Sequence, residues 1–287
     1  MPGMQFPYPR KTSNPANFNP AARNPPPSRN RTLTTYLLAG VTFLVLLIWL
    51  MSGRSTTTHL PPGTPPVVIV TPLDPSMSKQ HTDMVLENRK DYAARHGYAT
   101  FFPNTTDYDL MPSVPRSWAM VPSLRHAMTM YSHTPWLFYL TSTALIMEAG
   151  EGLEAKVLEP RKLESLMITD RPVVPPDSVI KTFAHLRGER VDLILTQDFE
   201  GLAGGSMFVR TGEWARYFLD AWFDPLYRSY NFQKAEGHAL EHIVQWHGTV
   251  LAKLALVPQR LLNSYMQKSD NGGNTEGKLA CARPERG

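Results

Sequence analysis

The sequence predicts an α/β domain with a mainly parallel sheet, held behind a single N-terminal transmembrane helix. Two observations carry this. An uncharged apolar run of 19 residues, LTTYLLAGVTFLVLLIWLM at 33–51, has the length that crosses a bilayer core as a helix. Downstream, short β-branched or aromatic runs alternate with amphipathic stretches, the pattern of strands and helices laid down in turn. With 287 residues and 42% hydrophobic content, the chain can bury one substantial core. Cys281 is the single cysteine, so no disulfide forms within the chain and stability must come from packing.

Residues 1–32 are rich in Pro, Asn and Arg and bury little apolar surface, which predicts a disordered tail. The net charge is +4, yet five cations (Arg10, Lys11, Arg23, Arg29 and Arg31) precede the apolar run and no acid does. The rest of the chain is therefore near neutral, and nucleic acid is not an expected partner. The same asymmetry places the N-terminus in the cytosol and the remainder in the lumen, a type II topology. A cleaved signal peptide would start near residue 1 and end in a small-residue cleavage site, so the anchor is expected to be retained. Residues 52–66 read as a mobile Ser/Thr/Pro stem.

The domain is expected to span 67–265. Val67 to Val70 reads as a buried strand, Met84 to His96 as a helix stopped by Gly97, and Tyr98 to Phe102 as a strand. Ser123 to Tyr131 follows as a helix, then Trp136 to Leu140 and Val191 to Leu195 as strands. Glu213 to Trp222 and Ala235 to His247 are helices.

In an open α/β sheet a nucleotide binds in the crevice at the carboxyl ends of the strands. Arg89 and Arg125 are read there either as phosphate ligands or as solvated helix charges. The segment FYLTSTALIM, 138–147, has the layout in which two carboxylates would grip a divalent ion, but it carries Thr141, Ser142 and Thr143. Neutral hydroxyls are weak ligands for a hard dication, so no metal site of ordinary strength is expected. His238, Glu241 and His242 match a zinc-peptidase pattern, without an evident third ligand. In ILTQDFEGLAGGSMFVR, 194–210, a strand runs into Gln197-Asp198 and is followed by a Gly-rich turn with Gly204, Gly205 and Ser206 and a second strand; Asp198 is a sugar contact or a turn cap.

These blocks, with ENRKDYAARHGYATFF, SWAMVPSLRHAM, LDAWFDPLYRSYNFQKAEGHALEH and VPQRLLNSY, resemble in order the fungal members of glycosyltransferase family 34, of the α-1,6-mannosyltransferase and α-galactosyltransferase type. The resemblance implies a GT-A-like, Rossmann-type fold and a Golgi membrane location. It also implies a GDP-mannose or UDP-galactose donor, Mn²⁺, retaining transfer to mannan or N-glycan chains, and partner subunits of a mannosyltransferase complex. It puts Thr71, Asn88, Tyr92 and Arg125 on the nucleotide side and Asp198, Gly205 and Ser206 at the donor sugar. Glu236, Trp246 and His247 lie toward the acceptor, with Asp198 and Glu236 as catalytic candidates. Three departures stand out: Thr141-Ser142-Thr143 for the Asp-x-Asp, Ala203 for an Asn, and no terminal His-Phe-x-Gly-Cys segment. They imply lost metal-dependent catalysis, either in a structural subunit or in a truncated sequence, and residues 266–287 are expected to be disordered or aberrant. Asn104-Thr105-Thr106 is a luminal N-glycosylation acceptor, whereas Asn30 would be cytosolic.

Overall fold

A computed structural model describes residues 36–46, 61–174, 178–198, 201–230, 232–264 and 280–282. The chain divides into two units, Met1–His59 and Leu60–Gly287. In the first, residues 36–46 form a helix, α1, inside the apolar run. Among the described residues no helix is long and apolar enough to cross a membrane. The flanks of the run, 33–35 and 47–51, the tail 1–32 and most of the stem lie outside the described residues.

The second unit is built on a six-stranded sheet in the order β2-β1-β3-β6-β5-β7. β1 is Val67–Val70, β2 Ala99–Phe101, β3 Trp136–Leu140, β5 Leu193–Asp198, β6 Gly201–Arg210 and β7 Leu254–Val257. β1 pairs in parallel with β2 and β3, and β5 with β7, while β6 runs antiparallel to both β3 and β5. The mainly parallel expectation therefore holds with one strand reversed. The sheet is covered on both faces, which is why its strands read as nearly continuous hydrophobic runs. Val68 and Val70 join one apolar cluster and Val67 and Ile69 the other, because successive side chains of a strand point to opposite faces. Phe138 and Phe208 stack at 4.4 Å across the β3–β6 pair.

Helices α3 (Met120–Met130), α5 (Glu213–Trp222) and α7 (Ala235–Trp246) cover the first face through Leu124, Phe218, Trp222, Leu240 and Ile243. Helices α2 (Lys79–His96) and α4 (Pro160–Leu166) cover the second through Tyr92, Ala93 and Leu163. A short helix α6, Pro225–Ser229, precedes α7; α8 (Gly248–Leu251) leads into β7 and α9 (Gln259–Leu262) follows it.

Three local expectations are corrected. α2 starts at Lys79, capped by the Ser78 hydroxyl, five residues before the amphipathic stripe begins, because its first turn is polar and only Val85 onward reaches the core. The Gly-rich segment is not a turn: residues 201–210 form one continuous strand, paired with β5 at 201–203 and 208–209 and with β3 at 206–210. β7 was not foreseen, since Leu254 to Val257 continues an apolar run too short to show a period. In the stretch 266–287, residues Ala280–Ala282 form a strand, β8, antiparallel to β4 (Ala144–Ile146), with Leu145 opposite Cys281.

Candidate donor site at the ends of β1 and β3

The carboxyl ends of β1 and β3 lie side by side, and the chain leaves them through Thr71 and through the loop Thr141–Thr143. Thr71 is buried and its hydroxyl donates to the Leu140 carbonyl at 2.8 Å, tying the two strand ends together. The loop returns to the sheet through the Thr141 N–H, which donates to the Gly205 carbonyl of β6 at 2.9 Å.

α2 grips this loop from the other side with three polar residues at i, i+7 and i+8, a spacing that puts them on one helix face. His81 Nε2 lies 2.9 Å from the Ser142 carbonyl. Asn88 brackets Ile146, donating from Nδ2 to its carbonyl at 2.9 Å and accepting its N–H at 2.9 Å. Arg89, fully buried, donates to the carbonyls of Thr141 at 2.9 Å and Ala144 at 2.5 Å, to Asn88 Oδ1 at 3.0 Å and to Thr71 Oγ1 at 3.4 Å. None of these described partners is a carboxylate. Burial alone pulls the guanidinium down to about 9 from its ordinary value.

The end of α2 is pinned to the stretch 149–154. His96 Nε2 meets the Ala149 carbonyl at 2.9 Å, the Tyr92 hydroxyl donates to Glu151 O at 2.9 Å, and the Tyr98 hydroxyl donates to the Glu154 carboxylate while accepting Leu153 N–H at 2.7 Å. Burial, and then the nearby glutamates, raise both phenols.

At the far end of β6 a second group gathers. Gly201 has φ 129° and a Cβ there would meet Glu241 Oε1 at 1.8 Å, so only glycine fits. Glu241 accepts the Leu202 N–H at 3.0 Å. His242 Nδ1 lies 3.0 Å from the Tyr227 hydroxyl, and His238 sets its ring against Phe232. The Glu and His side chains of the zinc-like pattern are thus engaged in different directions, and among the described residues no three His, Cys, Asp or Glu group to hold a metal. Glu236, in the first turn of α7, accepts the Ser117 hydroxyl at 2.6 Å.

The structure therefore brings Thr71, Asn88, Thr141, Ser142, Thr143 and Gly205 together, while Glu236 on α7 is held by Ser117 and by the Trp222 indole at its carbonyl. Asp198 ends β5 opposite Gly201, half-buried, beside residues 199–200 that lie outside the description. Ser206 is turned inward: its hydroxyl donates to Asn263 Oδ1 at 2.8 Å, and Asn263 donates to Thr196 Oγ1 at 2.6 Å. Tyr92 is likewise part of the core. Arg125 pairs with Asp220 of α5 at 3.1 Å, in the layer opposite α2. Trp246 is 73% exposed at the last turn of α7, followed by the half-buried His247; Asn104 is exposed. Sequence reasoning missed His81, which precedes the amphipathic stripe, and the buried role of Arg89. The i, i+7, i+8 spacing was the available signal.

Thr141 and Thr143 converge, their hydroxyls 3.5 Å apart, over the buried Arg89. Two converging neutral hydroxyls near a buried cation do not fit a manganese ion, which takes carboxylate oxygens by preference.

Comparison with known proteins gives one consistent family. The model of the galactosyl transferase GMA12/MNN10 family matches residues 63–282. An uncharacterized alpha-1,2-galactosyltransferase of Schizosaccharomyces pombe is 33% identical over 195 residues, covering 68% of this chain and 60% of that protein. An alpha-1,2-galactosyltransferase of the same organism is 30% identical, covering 68% and 53%. The probable alpha-1,6-mannosyltransferase MNN10 of Saccharomyces cerevisiae is 28% identical, covering 63% and 47%. The matched region thus spans about half to three fifths of the length of these relatives. Among solved structures, a glycosyltransferase involved in glycosylation of the major capsid of PBCV-1 superimposes with a TM-score of 0.53 at 9% identity, covering 76% of this chain and 93% of that one, a likeness of fold.

Proposed function

Because the chain belongs to the galactosyl transferase GMA12/MNN10 family, we propose that it binds a nucleotide sugar, GDP-mannose or UDP-galactose, and serves as a hexosyltransferase in building mannan or N-glycan chains. The observation that carries this is the donor-side frame: strand ends tied by Thr71, and a loop held by His81, Asn88 and Arg89 where a diphosphate would rest. In a retaining transfer the protein mainly orients donor and acceptor and supports developing charge. Gly205, whose carbonyl takes the Thr141 N–H, is the β6 residue proposed to lie beside the donor sugar. Asp198 and Glu236 are the carboxylates proposed for the sugar and the acceptor, and Trp246 and His247 extend the acceptor side.

A second reading is a non-catalytic subunit of a mannosyltransferase complex, and the neutral Thr141-Ser142-Thr143 loop favours it. The apolar run at 33–51 and the five cations before it support a single-pass type II protein with the domain in the lumen, and the family likeness supports a Golgi membrane as its location. The exposed Asn104, with Thr106 exposed beside it, supports glycan attachment there.

Incubating the full chain, purified in detergent, with each donor and an α-mannose acceptor tests the first reading. Product formation establishes a transferase. Absence of turnover, together with co-purification of an active partner, establishes the subunit.

A further inference from the structure

Arg89 is fully buried, and its described partners are two carbonyls, a hydroxyl and an amide oxygen. An uncompensated charge in the interior costs several kcal/mol, more than its carbonyl and hydroxyl contacts ordinarily return. The two carbonyls it holds, of Thr141 and Ala144, are the ends of the loop that carries the three hydroxyls. The Thr141–Ser142 peptide turns its carbonyl to the guanidinium, so its N–H points away from it. A charge in low dielectric acts across distances at which water would screen it. The loop above Arg89 therefore repels a cation and attracts an anion.

We propose that the diphosphate of the donor binds over the Thr141–Thr143 loop without a divalent cation, with buried Arg89 as the fixed positive charge and the Thr141, Ser142 and Thr143 hydroxyls as hydrogen-bond donors. Arg89 touches no ligand; it is a positioning residue that also biases the loop electrostatically. The inference rests on the reading that the domain binds a nucleotide sugar.

The test is titration of GDP and UDP into the full-length protein in detergent, in EDTA and in Mn²⁺, with melting temperature as the folding control. The expected result is an affinity in EDTA within about threefold of that in Mn²⁺, since no metal bridge is involved. Arg89→Met lowers it about tenfold or more, the scale of one charge-assisted interaction, and Arg89→Lys recovers part of the loss. A double variant, Thr141→Asp with Thr143→Asp, loses about tenfold in EDTA and becomes Mn²⁺-dependent. Should Arg89→Met not fold, wild type and the double variant decide alone, because both keep Arg89. Wild-type binding that requires Mn²⁺, or an Arg89→Met protein that binds as wild type, overturns the inference and leaves the functional reading standing. No binding of either nucleotide under any condition sinks both.

Discussion

The Asn88 side-chain amide meets both polar groups of the Ile146 backbone at 2.9 Å, so a helix residue stands where a neighbouring strand would stand. On its other side β4 pairs with Ala280–Ala282. A three-residue strand is thus held from both edges, and with it the loop that leads out of β3.

Asn88→Ala removes a donor and an acceptor at once and leaves the Ile146 groups without their partner. The expected loss is about 2–3 kcal/mol, read by urea denaturation. If Asn88→Ala matched wild type, the bracket would carry no weight.

Gly201→Ala combines a backbone conformation that side chains avoid with a Cβ 1.8 Å from Glu241 Oε1. It should cost about 2–4 kcal/mol, as strain and overpacking do elsewhere. Adding Glu241→Ala relieves the clash but not the φ, so the double variant recovers only part. A double-mutant cycle with zero coupling would refute the contact.

Ser206→Ala is expected to cost about 1 kcal/mol, since its hydroxyl bridges β6 to Asn263 inside the protein. Asn263→Ala should cost more, about 2 kcal/mol, because it leaves the buried Thr196 hydroxyl without its donor and takes one acceptor from Ser206, which keeps the Leu262 carbonyl. Nucleotide affinity should stay within about twofold for Ser206→Ala, and a larger drop in a stable variant would place Ser206 at the donor after all.

Alkaline stability should depend on Tyr92 and Tyr98. Burial and neighbouring glutamates raise both phenols above the ordinary value. The folded state therefore keeps its phenol protons at pH values where the unfolded chain releases them. The stability from this is whole below about pH 10 and falls as pH rises further, toward the folded values. Melting curves across the alkaline range should show that slope, and Tyr92→Phe should flatten it at little cost, since it loses one bond to a carbonyl. An unchanged slope in the Phe variant would contradict the assignment.

Much of the fold was legible in the residues. Val67 to Val70, Trp136 to Leu140 and Glu213 to Trp222 announce themselves because a buried strand is a short apolar run and a surface helix keeps a period. The ordered blocks named the family before any geometry did. The Gly-rich segment misled, because glycine signals a turn locally, whereas pairing with β5 before it and with β3 after it keeps the strand running through 201–210. Arg125 and Arg89 looked alike as helix cations. One pairs with Asp220 near the surface and the other lies under a loop 52 and 55 positions ahead in the chain, a difference that spacing along one helix does not contain.

By itself the sequence determined the α/β alternation, the family and the absence of carboxylates at 141–143, since each is a matter of local pattern or residue type. Only the tertiary structure decided that Ser206 and Tyr92 face inward, that β6 is reversed and that Arg89 sits buried beneath the loop with no carboxylate among its described partners. Those properties depend on which distant segments share a neighbourhood, and burial and pairing across the sheet settle that, not the order of residues along any one element.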